Sequence, residues 1–111
     1  MQVHELDDTE REVLLALLAH VAEADDRIDP GEVLEIDAIA EEMGIDNVTE
    51  RLMRARGATP TWADLTAAIA RITRPDARAL IRTMLIDLAQ SDGERTDPES
   101  RFLELLDRVW Q

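Results

Sequence analysis

The residues best suited to chemistry are carboxylates, and they occur in one pattern written twice. The first copy, HVAEADDRIDPGEV, runs from His20 to Val33; the second, DLAQSDGERTDPES, runs from Asp87 to Ser100. A gap-free shift of 67 residues places Ala22 on Ala89, Asp25 on Asp92 and Glu32 on Glu99. Asp25, Asp26, Asp29 and Glu32 crowd one segment, and Asp92, Glu94, Asp97 and Glu99 crowd the other. Gathering carboxylates costs like-charge repulsion, which a bound divalent cation relieves. Oxygen-only donors favour a hard ion such as calcium, magnesium or manganese. His20 and Asp87 hold equivalent places just before the two segments and could add ligands.

A second physical account needs no metal. Glu32 and Glu99 stand three residues after Asp29 and Thr96, where a capping-box glutamate belongs, and the helix dipole favours carboxylates there. Asp25 and Asp92 can end the preceding helices in a polar turn. The spacing from Asp25 to Glu32 and from Asp92 to Glu99 matches positions five and twelve of an EF-hand loop. The front half of that loop is missing, because Val21 and Glu23, or Leu88 and Gln90, would fill positions one and three. The cation expectation therefore rests most on Asp25 and Asp92, whose matched places capping does not require.

The same shift matches the flanks: Leu17 with Met84, Leu18 with Leu85, Val21 with Leu88, Ile36 with Leu103 and Ile39 with Leu106. Each copy is thus the apolar end of a helix, an acidic loop and the start of another helix. Apolar residues recur with the helical period almost throughout, and no stretch alternates like a strand. A Thr9–Glu12 capping box opens a first helix with a stripe of Val13, Leu14, Leu17, Leu18 and Val21. Asp29-Pro30 starts a second, carrying Val33, Ile36, Ala40 and Met43, with Gly44 as its stop. An Asn47–Glu50 box opens a third, with Val48, Leu52 and Ala55, broken at Gly57-Ala58-Thr59-Pro60. A fourth from about Pro60 buries Leu65, Ala68, Ile69 and Ile72. Arg74-Pro75 separates it from a fifth, which extends to about Ser91 and carries Leu80, Ile81, Met84, Leu85 and Leu88. A sixth begins at Thr96 or Asp97 and carries Phe102, Leu105, Leu106 and Val109. The fold class is all-α: one domain, residues 1–111, as a compact bundle of about six helices containing a duplicated helix-loop-helix pair.

Composition narrows the classes. The chain has 111 residues and 45% hydrophobic content, enough for one modest core, and aromatics are only 3%, so that core is aliphatic. With no cysteine, disulfides and thiolate metal sites are excluded. No signal peptide and no spanning run is visible, which points to a cytoplasmic protein without membrane insertion. A net charge of −13 argues against nucleic acid as a partner. Residues 1–50 carry −14, residues 51–82 carry +5 and residues 83–111 carry −4, and all twelve basic residues are arginine. Arg51, Arg54, Arg56, Arg71, Arg74, Arg78 and Arg82 form either an anion site or a counterweight to the acidic helices. That counterweight can act within one molecule or across a homodimer. Trp62 and Trp110 are read as lid or packing residues, with Trp110, if exposed, as a partner contact. No phosphate-binding loop, dinucleotide fingerprint, zinc-protease motif or nucleophile elbow is present.

The stretch from His20 to Ile45, with Ala24, Asp25, Asp26, Arg27, Ile28 and Glu32, resembles the first signature of the TerB-like family of tellurite-resistance proteins. LAQSDGERTDPESRFLELL, with Asp92, Gly93 and Glu99, is similar to the second. The resemblance runs from about Val13 to Leu106. It departs from the family at Asp26, where glycine is usual, and at Arg95, where the residue matching Ile28 would be apolar. The resemblance implies an all-helical domain that binds metal through these acids and serves in stress responses. The expectation is a non-enzymatic, cation-binding, protein-interaction module. The alternatives are a metal-free acidic adaptor for a basic partner and, further off, a metal-dependent hydrolase.

Overall fold

The computed structural model describes the backbone of residues 2–24, 30–90 and 97–110, and side chains within those ranges except at 22–35 and 88–100. Six α-helices follow a short 3-10 turn at Val3–Glu5: α1 Asp8–Ala24, α2 Pro30–Glu42, α3 Val48–Ala58, α4 Trp62–Ala70, α5 Pro75–Gln90 and α6 Asp97–Val109. Among the described residues there is no strand.

The first helix starts one turn-fraction earlier than its sequence suggests. Asp7, not Thr9, caps it. The Glu10 amide donates to Asp7 Oδ1 and the Asp7 amide donates to Glu10 Oε1, both at 2.8 Å. The reciprocal pair satisfies two amides that a helix start leaves without partners. Thr9 and Glu12 are exposed instead. An N-terminal segment with no apolar period still contributes to the core, because the 3-10 turn folds Val3 and Leu6 inward.

All of Val13 to Ala19 is buried, so α1 is enclosed rather than amphipathic. The expected stripe is all buried, and Leu15, Ala16 and Ala19 close the opposite side. A helix apolar all round must lie inside the protein. The others surround it: α3 packs on it most extensively, and α4, α5 and α6 also touch it. Leu65, Ile69, Ile72, Ile81 and Leu106 meet it from four directions, each 1% exposed or less.

Local chemistry accounts for most helix ends. Gly44 terminates α2 at φ 73°. Its amide donates to Glu41 O and the Ile45 amide to Ala40 O, both at 3.0 Å. These two bonds form a Schellman motif, whose left-handed residue favours glycine. Asn47 does precede α3, but the expected capping box does not form. Its side-chain amide donates to Glu50 Oε2 at 3.0 Å and leaves the helix amides uncapped by it. Helix α3 continues through Gly57 and Ala58 to end at Thr59, and α4 begins at Trp62 rather than Pro60. Thr61 Oγ1 caps α4 by accepting from the Asp64 amide at 3.1 Å.

A buried carboxylate ties α1 to the α4–α5 junction. Glu10 is 2% exposed. Its Oε2 accepts from Arg74 Nε at 2.8 Å, and Oε1 accepts from the same guanidinium's Nη2. Arg74 also donates to Glu5 O at 3.1 Å. The Arg74 hydrogen bond chiefly holds the Glu10 carboxyl below the usual glutamate range, against the desolvation that pushes it up. A depressed folded-state pKa contributes stability above the unfolded glutamate value and loses it as pH falls through the folded one.

Replacing Glu10 by Ala removes both cap and ion pair and is expected to cost about 1–3 kcal/mol in urea unfolding at neutral pH. Glu10→Gln keeps a cap acceptor, so its deficit should be smaller. That deficit should shrink as pH drops below the glutamate range, where the wild-type side chain becomes neutral too; a pH-independent gap would contradict the pairing. Gly44→Ala should lower stability by about 1 kcal/mol from backbone strain, since open space surrounds the position.

Candidate functional site

The duplicated acidic pattern is mirrored in the helices that carry it. Helices α2 and α6 begin at Pro30 and Asp97, a separation equal to the 67-residue sequence shift. Helices α1 and α5 end at Ala24 and Gln90, one residue from the same correspondence. The two pairs also face each other: α1 touches α5 and α6, and α2 touches α5. The apolar matches occupy matched core places, since Leu17 and Met84, Leu18 and Leu85, Ile36 and Leu103, and Ile39 and Leu106 are all buried.

Of the eight acids, Asp25, Asp26, Asp29, Asp92 and Glu94 lie outside the described residues. Glu32, Asp97 and Glu99 are on α2 and α6, but their side chains lie outside them too. Among the described residues no group of three or more His, Asp or Glu side chains could hold a metal ion.

The two further candidates are both described. His20 sits one turn before the end of α1, half-buried. Its Nε2 lies 2.8 Å from Thr59 O and 3.1 Å from Thr59 Oγ1. A carbonyl only accepts, so Nε2 carries the proton and donates. The Thr59 hydroxyl in turn donates to Ala55 O at 3.0 Å. Nε2 therefore fastens the end of α1 to the end of α3 and is not a metal ligand. Phe102 lies beside the imidazole at 6.3 Å between centroids, and Trp62 lies 5.3 Å from Phe102. Asp87, the counterpart of His20, is exposed. The two positions are equivalent in sequence but not in environment.

Among the described residues, carboxylates pair with Arg51, Arg54, Arg74 and Arg82. Arg51 Nη2 reaches Glu12 Oε1 at 2.7 Å, and Arg54 lies 3.7 Å from Glu50 one turn away. Arg74 holds Glu10. Arg82 grips Asp107 with Nε at 2.8 Å and Nη2 at 3.3 Å. That contact lowers the Asp107 pKa, and it raises that of Arg82. These pairs are charge balance inside one molecule, as the plainer sequence reading had it. Arg78 differs, because it is anchored by backbone and an aromatic ring rather than by an acid. Trp110 packs half-buried, its indole donating to Ile69 O at 2.9 Å, whereas Trp62 remains 46% exposed. Sequence reasoning placed both tryptophans in packing roles and missed the Glu10–Arg74 clamp. The only sequence signal for that clamp is a Glu three residues after Asp7, which reads as capping alone.

No helix among the described residues is long and apolar enough to cross a membrane. No curated protein and no solved structure matches the chain. A duplicated helix pair around two acidic segments, all-α among the described residues, agrees with a family model that matches the chain. That model, described as tellurite resistance protein TerB, covers residues 11–109, and the chain belongs to the TerB family.

Proposed function

We propose that this TerB-family protein is a non-enzymatic stress-response module, of the tellurite-resistance kind, that binds a divalent cation and a protein partner. Asp25, Glu32, Asp92 and Glu99 are the principal donors, with Asp26, Asp29, Glu94 and Asp97 as further ones. The observation that supports this reading is the packing of the two helix pairs against each other, with α2 and α6 starting in the same register. Four helices that flank carboxylate-rich segments thereby form one unit, and a charge change in either segment acts on that unit.

The donor set is all carboxylate, which fits a hard cation such as calcium, magnesium or manganese and not a thiophilic one. Cation binding relieves the mutual repulsion of the acids and fixes each helix pair across its acidic segment. The partner then reads an ordered helical surface. His20 supports this unit by holding the end of α1 to Thr59.

Calorimetric titration with calcium, magnesium and manganese, on the wild type and on an Asp25→Asn/Asp92→Asn double variant, tests the reading. Saturable heat is expected in the wild type and lost in the variant. A ligand at 100 times its Kd adds about 2.7 kcal/mol of stability, which appears as a higher Tm. No saturable heat and no Tm shift with any of the three ions would falsify cation binding. Partner capture that survives chelation would then identify a metal-free acidic adaptor.

A further inference from the structure

The start of α5 and the end of α6 enclose a recess of about 510 Å³. Arg78 and Arg82 line one side, four residues apart and so on one face of α5. Pro75, Ala79 and Trp110 supply apolar surface over the buried Leu106, and Asp107 stands beside Arg82. The recess lies at the start of α5 and the end of α6, away from the ends that flank the second acidic segment, and none of its residues belongs to the cation reading.

The two arginines are in different states. Arg82 is neutralised by its forked contact with Asp107. Arg78 donates through Nε to Ile72 O at 2.8 Å, and its guanidinium carbon lies 5.8 Å from the centre of the Trp110 ring. Trp110 is itself fixed by its bond to Ile69 O. Among the described residues no carboxylate pairs with Arg78, and its two terminal nitrogens bond to none of them. This occurs in a chain where 25 acids face 12 arginines. An arginine oriented by backbone and ring, with its outer edge free, has already lost much of the side-chain entropy that binding would cost. The planar outer edge suits a carboxylate fork, and the ring beside it suits a flat apolar body. The protein's overall negative charge opposes an anion only at long range, and physiological salt screens that beyond about 8 Å.

We propose that this recess is a binding site for an aromatic carboxylate, with the carboxylate on the outer nitrogens of Arg78 and the ring against Ala79 and Trp110. The same chemistry is presented by a free small acid and by a peptide ending in an aromatic residue.

The test is an NMR titration of the full chain, followed through the Trp110 indole N–H, which a Trp62→Phe variant assigns. The probes are 3-phenylpropionate for a free acid and N-acetylphenylalanine for a peptide end. Saturable shifts at Trp110 with either probe are expected, and the tighter of the two identifies the source. 3-Phenylpropionamide and acetate, lacking the charge and the ring respectively, should each bind about tenfold or more weakly. Arg78→Gln should weaken binding by a similar factor, while Arg108→Gln, an equal charge loss at an exposed site on α6, should leave it unchanged. Ala79→Glu places a competing carboxylate in the recess from an exposed position and should abolish binding in a folded protein. Absence of saturation with both probes, or equal affinity in wild type and Arg78→Gln, would overturn the proposal.

Discussion

Everything in this protein is arranged around the need to keep α1 out of water. Seven consecutive residues, Val13 to Ala19, are buried. Exposing them would forfeit on the order of 25 cal/mol for each Å² of apolar surface. One partner helix cannot cover a helix on all sides, so α3, α4, α5 and α6 are each drawn to it. With few aromatics, that enclosure depends on close fitting of Leu, Ile, Val and Ala side chains rather than on large rings. The Glu10–Arg74 pair holds the start of this helix against the α4–α5 junction, and the His20–Thr59 bond holds a point near its other end against α3. Polar contacts thus locate the central helix at both ends while apolar burial encloses it.

This enclosure is what makes the duplicated pattern consequential. Helix α1 leads into the first acidic segment, and α5 and α6, which bracket the second, both lie against α1. The core therefore couples the helices that flank two acidic segments more than sixty residues apart in the chain. Charge is divided along the same lines. Arginines of the middle helices neutralise Glu10, Glu12, Glu50 and Asp107, and none of those four acids belongs to the repeated pattern. The exposed pairs, those of Glu12, Glu50 and Asp107, contribute little stability individually. Arg78, held by backbone and a ring, is an anchored cation of a different kind.

Some predicted features failed for a common reason. Thr9–Glu12 has the pattern of a capping box, yet Asp7–Glu10 forms it, because Glu10 can also reach Arg74 and be buried. Asn47–Glu50 fits the pattern too, but the side chains bond to each other instead of to the backbone. Helix α3 passes through Gly57 because Thr59 at its end is secured by His20 and Arg56. In each case a specific side-chain contact, distant for Glu10–Arg74 and His20–Thr59 and local for Asn47–Glu50, outweighed a backbone preference worth about 1 kcal/mol or less. His20 and Asp87 make the same point for the site. The repeat equates them, but His20 is bonded to the end of α3 and Asp87 is exposed.

The sequence by itself determined the helical class, the number of helices, most of their buried faces and the duplicated pair, down to the starts of α2 and α6. Those features depend on period, on Pro30 and Gly44, and on similarity between the two copies, all of which are local and read in order. Only the tertiary structure decided that α1 is central and not merely amphipathic, that Glu10 is a buried ion-pair partner, and that Arg78 and Trp110 share a recess. Each of these joins residues from different helices. Apolar spacing states which face of a helix avoids water, but not which other helix covers it.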